Sequence, residues 1–188
     1  MDTALLVLRV LTGTILICHG SQKAFGWLQG PGPVGSAAFF ETLGHRPGRQ
    51  MVVLAVGCET VSGALLLLGL ATPLAVAIAT GTMLVAALSM IVKAGVFWNT
   101  QGGGEYPLLL ALTVAAIGLA GPGRWSLDAL LLGSWPGWAG PSAVLLAVLA
   151  ATVPVARAHR VLKADALVEN RPAPGATTTS ITERGADE

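Results

Sequence analysis

Charge is scarce in this sequence. Of its 188 residues only 11% are Asp, Glu, Lys or Arg, against about 25% in soluble proteins, too few to cover a water-soluble domain. Neither sign dominates: the formal net charge is +1, which excludes the basic footprint that nucleic-acid binding needs. Cysteine is nearly missing. The two present, Cys18 and Cys58, exclude a disulfide-stapled scaffold and a zinc site built from several thiolates. His19, His45 and His159 are scattered along the chain, and no Rossmann glycine fingerprint stands in the strand-to-helix setting it requires. The chain therefore encodes no haem, metal or flavin motif of its own, and any cofactor must be borrowed.

What the sequence does have is long apolar runs, with 53% hydrophobic residues and a mean hydropathy of +0.70. A hydrocarbon layer about 30 Å thick takes about 20 helical residues and tolerates no unpaired backbone amide, so each run is expected to be a helix. Five fit: about Ala4 to Lys23, Gln50 to Leu70, Pro73 to Val92, Tyr106 to Gly121 and Trp138 to Ala156. The expected fold is all-α, a polytopic membrane bundle with a four-helix core and a fifth carboxyl-terminal span. Only Ala71 and Thr72 separate the second run from the third, and Pro73 suits a first helical turn, which predicts a tight antiparallel hairpin. The first run is read as a retained span, because its start is Met-Asp-Thr and no small-residue cleavage pattern follows.

Cations concentrate in short cytoplasmic loops. With the carboxyl terminus inside, the inner face holds Lys23, Arg46, Arg49, Lys93, Arg157, Arg160, Lys163 and Arg171, and the outer loops hold only Arg124. An outside amino terminus follows, in a multi-pass protein of a bacterial inner (cell) membrane. Within the loop from Gly26 to Gly48, the run Ser36 to Gly44 reads as a helix lying in the interface with its Phe residues in lipid. From Asn170 to Glu188 the chain is Pro, Gly, Ala, Thr and charge, a composition that does not repay ordering.

An ionisable group in hydrocarbon costs at least ~2.5–3.5 kcal/mol on insertion scales, so each one calls for a partner or a task. Arg9 in the first span and Glu59 in the second differ in depth by about 8 Å from the helical rise, within reach of an Arg side chain, and an Arg9–Glu59 ion pair is expected. The alternative has Arg9 reaching outward to headgroups and Glu59 protonated. Under the proposed topology His19, Glu59, Trp98, Asn99 and Glu105 share the inner half of the bundle. A His and two carboxylates there suit proton relay or the holding of a polar headgroup. The plain alternative makes His19 and Glu105 interfacial helix ends. Cys18 and Cys58 fall in the same half and are candidates for exchange with a disulfide or a quinone; as lone thiols in apolar helices they also read as small hydrophobes.

These residues fall into ordered motifs. Leu8-Arg9, His19-Gly20, Gln22-Lys23 and Phe25-Gly26 open the chain; Gly57, Glu59 and Gly63 to Pro73 follow; then come Gly95 to Trp98, Gly104-Glu105-Tyr106-Pro107 and Gly121 to Asp128. Together they resemble the DoxX family of small membrane proteins over about residues 4 to 132. The resemblance implies a four-helix membrane domain at 1–132; the chain departs from the family's basic pattern by adding a further transmembrane helix, expected at 133–160, and a tail at 161–188, expected to be disordered and cytoplasmic. The resemblance carries the family's recurrent polar positions onto Arg9, His19, Lys23, Glu59, Glu105 and Asp128. Arg9, His19, Glu59 and Glu105 then form the expected intramembrane polar site, and Lys23, Trp98, Asn99 and Asp128 its headgroup or partner contacts. The family is linked to thiosulfate and quinone oxidoreduction, and in actinobacteria to a complex with a sulfurtransferase and superoxide dismutase. Three functions are weighed. One is a redox-associated subunit that binds a quinone while partners supply the other cofactors. Another is a scaffold docking soluble proteins through the Gly26 to Gly48 loop and Arg157 to Lys163. The third is a small-solute carrier.

Overall fold

The computed structural model describes residues 1–171. Among them every regular element is helical: α1 (Asp2–Phe25), α2 (Gly32–Thr42), α3 (Gly48–Leu68), α4 (Thr72–Ala94), α5 (Glu105–Ala120), α6 (Leu127–Leu131) and α7 (Ala139–Glu169), with a single 3-10 turn at Asn99–Gln101 before α5. Helices α1, α3, α4 and α7 are long and apolar enough to cross a bilayer. Helix α5 has 16 residues, about 24 Å at the helical rise, and is the short member of the set. The expected all-α membrane bundle is what the chain forms. Helix α7 passes Pro154 and continues to Glu169, so 161–169 are helical rather than the start of a tail. Of the tail expected to be disordered, residues 172–188 lie outside the described residues.

Oil supplies no hydrophobic drive between helices, so their association depends on close packing. Small residues set the register. On α1 Gly13 faces the Gly63 carbonyl of α3, where an added Cβ would lie 2.6 Å from that oxygen, and Gly20 lies against Thr60. These contacts make α1 and α3 antiparallel. Helix α4 returns beside α3, α5 packs on α4 with Gly118 against Val76, and the ring closes where α5 meets α1. Leu16, Leu66, Val76, Met83, Val114 and Ile117 fill its centre. Helix α7 lies outside the ring along α4 and α5, burying Ala139, Ala143, Ala147 and Ala151 at every fourth position. Leucines on the other faces, such as Leu11, Leu54, Leu109 and Leu145, are exposed, as suits a surface solvated by lipid chains. Helix α2 packs under α1 and α3 near the Lys23 end and leaves Val34 and Phe39 exposed, a helical segment where the interfacial one was expected.

The α3–α4 hairpin turns through Gly69 at φ 62° and Ala71 at φ 46°, and Pro73 falls in the first turn of α4. The left-handed Gly69 sits directly on the Arg9 guanidinium, which an added Cβ would overlap, and an added Cβ would also lie 2.6 Å from the Ser126 side chain. Gly69→Ala combines an unfavourable backbone, at about 1–2 kcal/mol, with displacement of a buried cation. It should lower the melting temperature of the detergent-solubilised protein sharply, as followed by fluorescence-detected gel filtration, whereas Gly57→Ala, with nothing within 4 Å of its Cβ position, should leave it unchanged.

Candidate functional site

The rare polar groups gather at two ends of the bundle. At the Arg124 end, Arg9 is fully buried and donates from Nη2 to the Trp125 carbonyl oxygen, while its Nε and Nη1 have no hydrogen-bond partner among the described residues. The Asp128 carboxylate lies within electrostatic reach. Asp128 is also fully buried; its Oδ1 accepts from Ala71 N at 2.7 Å and its Oδ2 from Thr72 N at 2.8 Å. It therefore caps the first turn of α4, where the amides lack intrahelical acceptors and the helix dipole favours an anion. Its own N–H donates to Gly69 O at 2.9 Å, locking α6 onto the hairpin. Two expectations are corrected here. Arg9 does not pair with Glu59, because it lies at the opposite end and is held by the 125–128 segment. Asp128 is not a headgroup contact, because its oxygens are taken by the backbone of α4.

At the Lys23 end, Glu59 is 3% exposed and receives Lys23 Nζ on both oxygens, at 2.8 and 2.7 Å. The partner of Glu59 is thus a residue of α1 fourteen positions after Arg9. Lys23 also reaches the His19 carbonyl oxygen at 3.4 Å, and His19 Nε2 lies 3.2 Å from the Tyr106 hydroxyl. These groups edge a cavity of about 390 Å3 enclosed by α1, α2, α3, α4 and α5, with Pro154 of α7 at its margin. Phe39, Phe40, Leu43, Met83 and Leu110 give it apolar walls, and Asn99, Cys58 and His45 line it too. His45 Nε2 lies 2.8 Å from the Ser89 hydroxyl of α4, and burial holds its imidazole below the ordinary histidine value.

Of the residues expected in this half, His19, Lys23, Glu59, Asn99 and Cys58 come together on the cavity. Glu105 stays at the start of α5, accepting from Asn99 N at 3.2 Å, and does not line it. Trp98 is exposed, edge-on to Phe97. Cys18 is off the cavity, and both cysteines are free thiols. Sequence reasoning passed over Tyr106 and His45 as site residues. Tyr106 is the chain's single tyrosine and follows Glu105 in a motif already singled out, so its rarity was the available signal. His45 is placed only by the fold of the 43–47 loop.

The sequence profile of the DoxX family matches residues 4–92. The chain is 31% identical over 123 residues to a protein of Bacillus subtilis (strain 168) named "Putative oxidoreductase CatD", an alignment covering 65% of this chain and 83% of that protein. No solved structure matches the chain.

Two outcomes follow from the two clusters. Burial pushes the Asp128 carboxyl up, but hydrogen bonds from Thr72, Trp135 and Ala71 outweigh it and hold it below its ordinary 3.8. A depressed folded-state value contributes stability that is complete above 3.8 and is lost as pH falls through the folded value. Thermal melts of Asp128→Asn should therefore fall well below wild type at neutral pH, with the gap narrowing only in acid below that point. For the buried pair, removing one partner strands a charge in a poorly solvating site. Lys23→Met and Glu59→Gln should each destabilise the protein, and the double variant should lose less than the sum of the two single losses, read as a non-additive melting shift.

Proposed function

The chain belongs to the DoxX family of multi-pass membrane proteins, and from that premise we propose that it is the membrane subunit of an oxidoreductase system, holding the head of a quinone in the Lys23-end cavity. The observation that carries this reading is the pairing of a partly buried Lys23–Glu59 ion pair with a His19–Tyr106 contact at the edge of one apolar cavity. Small-molecule sites have this form: mostly apolar walls of about 300–1,000 Å3 with a few convergent polar groups that set orientation.

A bound quinone supplies an acceptor for two electrons and two protons. The chain's residues bind and orient it and deliver protons. Lys23 Nζ and the Tyr106 hydroxyl are donors suited to carbonyl oxygens, while Glu59 and His19 stand behind them to replace the protons given. Electrons come from a soluble partner, for which the family resemblance points to sulfur-transfer or superoxide-handling proteins. The protein then sits in the bacterial cell membrane with its Lys23 end toward the cytoplasm, where the exposed Arg157, Arg160 and Lys163 of α7 offer a docking face. That same basic face is the observation that favours the scaffold reading. The carrier reading gains nothing from α1, α3, α4 and α7, each a continuous helix, where carrier sites are formed by broken ones.

Purification in mild detergent followed by solvent extraction should recover quinone with the wild-type protein. Glu59→Gln and Tyr106→Phe should each reduce the recovered quinone by roughly tenfold, a loss of about 1.4 kcal/mol in binding. Soluble proteins co-purifying from a wild-type sample that carries no quinone would replace this reading with the scaffold.

A further inference from the structure

The head cavity does not end at its own walls. Cys58 of α3 and Thr82 and Val85 of α4 line it and also line a second hollow of about 350 Å3, which lies over α4 between α3 and α7. This hollow exists because its residues are small: Gly81 on the α4 floor, and Ala147, Ala150 and Ala151 along α7. An added Cβ on Gly81 would sit 3.6 Å from the Ala147 carbonyl oxygen, in ordinary contact, so the trough is formed by missing side chains rather than by parted backbones. Among the described residues no charged side chain lines it. The Thr82 hydroxyl is spent on the Ile78 carbonyl oxygen at 2.8 Å, leaving the Cys58 thiol, a weak donor, as the free polar side chain among the trough's lining residues. Leu146 at the trough's far side is 61% exposed, so the trough opens to the hydrocarbon of the membrane.

We propose that this trough is the berth for the aliphatic chain of the ligand whose head occupies the cavity, and that the ligand enters sideways from the bilayer between α3 and α7. The inference rests on the quinone reading of the cavity and deepens it. The substrate class becomes an amphipathic molecule with a compact carbonyl-bearing ring and an alkyl or prenyl chain, and a freely water-soluble acceptor is excluded. Continuity supports that occupant: the three shared residues put the trough where a chain leaving the ring must go. One wall is α7, which lies beyond the 4–92 span matched by the family profile. A chain lying in the trough exchanges lipid contacts for protein contacts of similar apolarity and gains little free energy. The trough therefore fixes direction, and a measurement of chain position tests it better than a measurement of affinity.

The probe is a ubiquinone ring carrying a decyl chain with a photoreactive diazirine near its far end, added to the full chain in phosphatidylcholine nanodiscs and irradiated. Label is expected on the segments Ile78–Val85 and Leu146–Ala151, and excess chainless ubiquinone ring should reduce it by roughly tenfold. In a Cys18→Ala background the chainless ring should also protect Cys58 from N-ethylmaleimide. Ala150→Phe, at an exposed position, should abolish label on both segments while ring protection of Cys58 persists; Gly81→Leu provides a second filling of the same space. Ring protection of Cys58 with chain label elsewhere overturns the trough and leaves the head site standing. Absence of both ring protection and ring-sensitive label overturns the two together. Equal labelling of the trough by a diazirine-bearing phospholipid that the ring does not displace marks it as a bulk-lipid groove and overturns the inference.

Discussion

Hydrocarbon cannot solvate a charge, and the architecture follows from where its few charges find company. Helix α1 carries two cations inside or at the edge of the bilayer, Arg9 and Lys23, fourteen residues and about 21 Å apart along nearly one helical face. Each needs an acceptor, and each finds it at a different end. Arg9 is taken by the backbone of the segment between α5 and α6, with Asp128 nearby. Lys23 is taken by Glu59. The two knots fix α1 against the rest of the bundle at both ends, and the space between is filled by Leu16, Leu66 and their neighbours.

The two ends differ in kind. At the Arg124 end each of these hydrogen bonds has backbone on at least one side: Asp128 caps the start of α4, the Gly69 carbonyl receives the N–H of Asp128, and the Trp125 carbonyl receives Arg9. What is left there without a hydrogen-bond partner among the described residues is Nε and Nη1 of the buried Arg9 and the Thr72 hydroxyl. At the Lys23 end the polar groups meet one another as side chains, and they do so on the rim of an apolar space rather than within packed core. Side chains can change partners without unwinding a helix, so the contacts at the Lys23 end are exchangeable where those at the Arg124 end are fixed by backbone.

The long helices, their order and the α3–α4 hairpin were legible because apolar runs of span length admit one solution in a bilayer. The pairing of charges was not, because depth along a helix says nothing about which of two antiparallel neighbours is reached. The glycines held the missing information. Gly13 opposite Gly63 places Glu59 level with about Ile17, which leaves Arg9 about 12 Å away and Lys23 about 9 Å away in the other direction. Lys23 had been assigned to the headgroups as the end of the span, yet its long stem carries the ammonium back toward Glu59. Asp128 was visible as a recurrent polar position, but its use as a cap depends on α6 folding back over the hairpin, which no local pattern announces. Tyr106 and His45 reach the cavity through loop and helix-start geometry for the same reason.

The cap on α4 comes from a residue made 56 positions later than the amide it serves. During synthesis α3 and α4 must enter the membrane with the first turn of α4 unsatisfied and the guanidinium of α1 without its acceptor, until translation has passed α5 and delivered the 125–128 segment. The bundle is thus completed retroactively, and a nascent chain halted before that point presents the insertion and quality-control machinery with a bare cation and open amides on four otherwise finished helices.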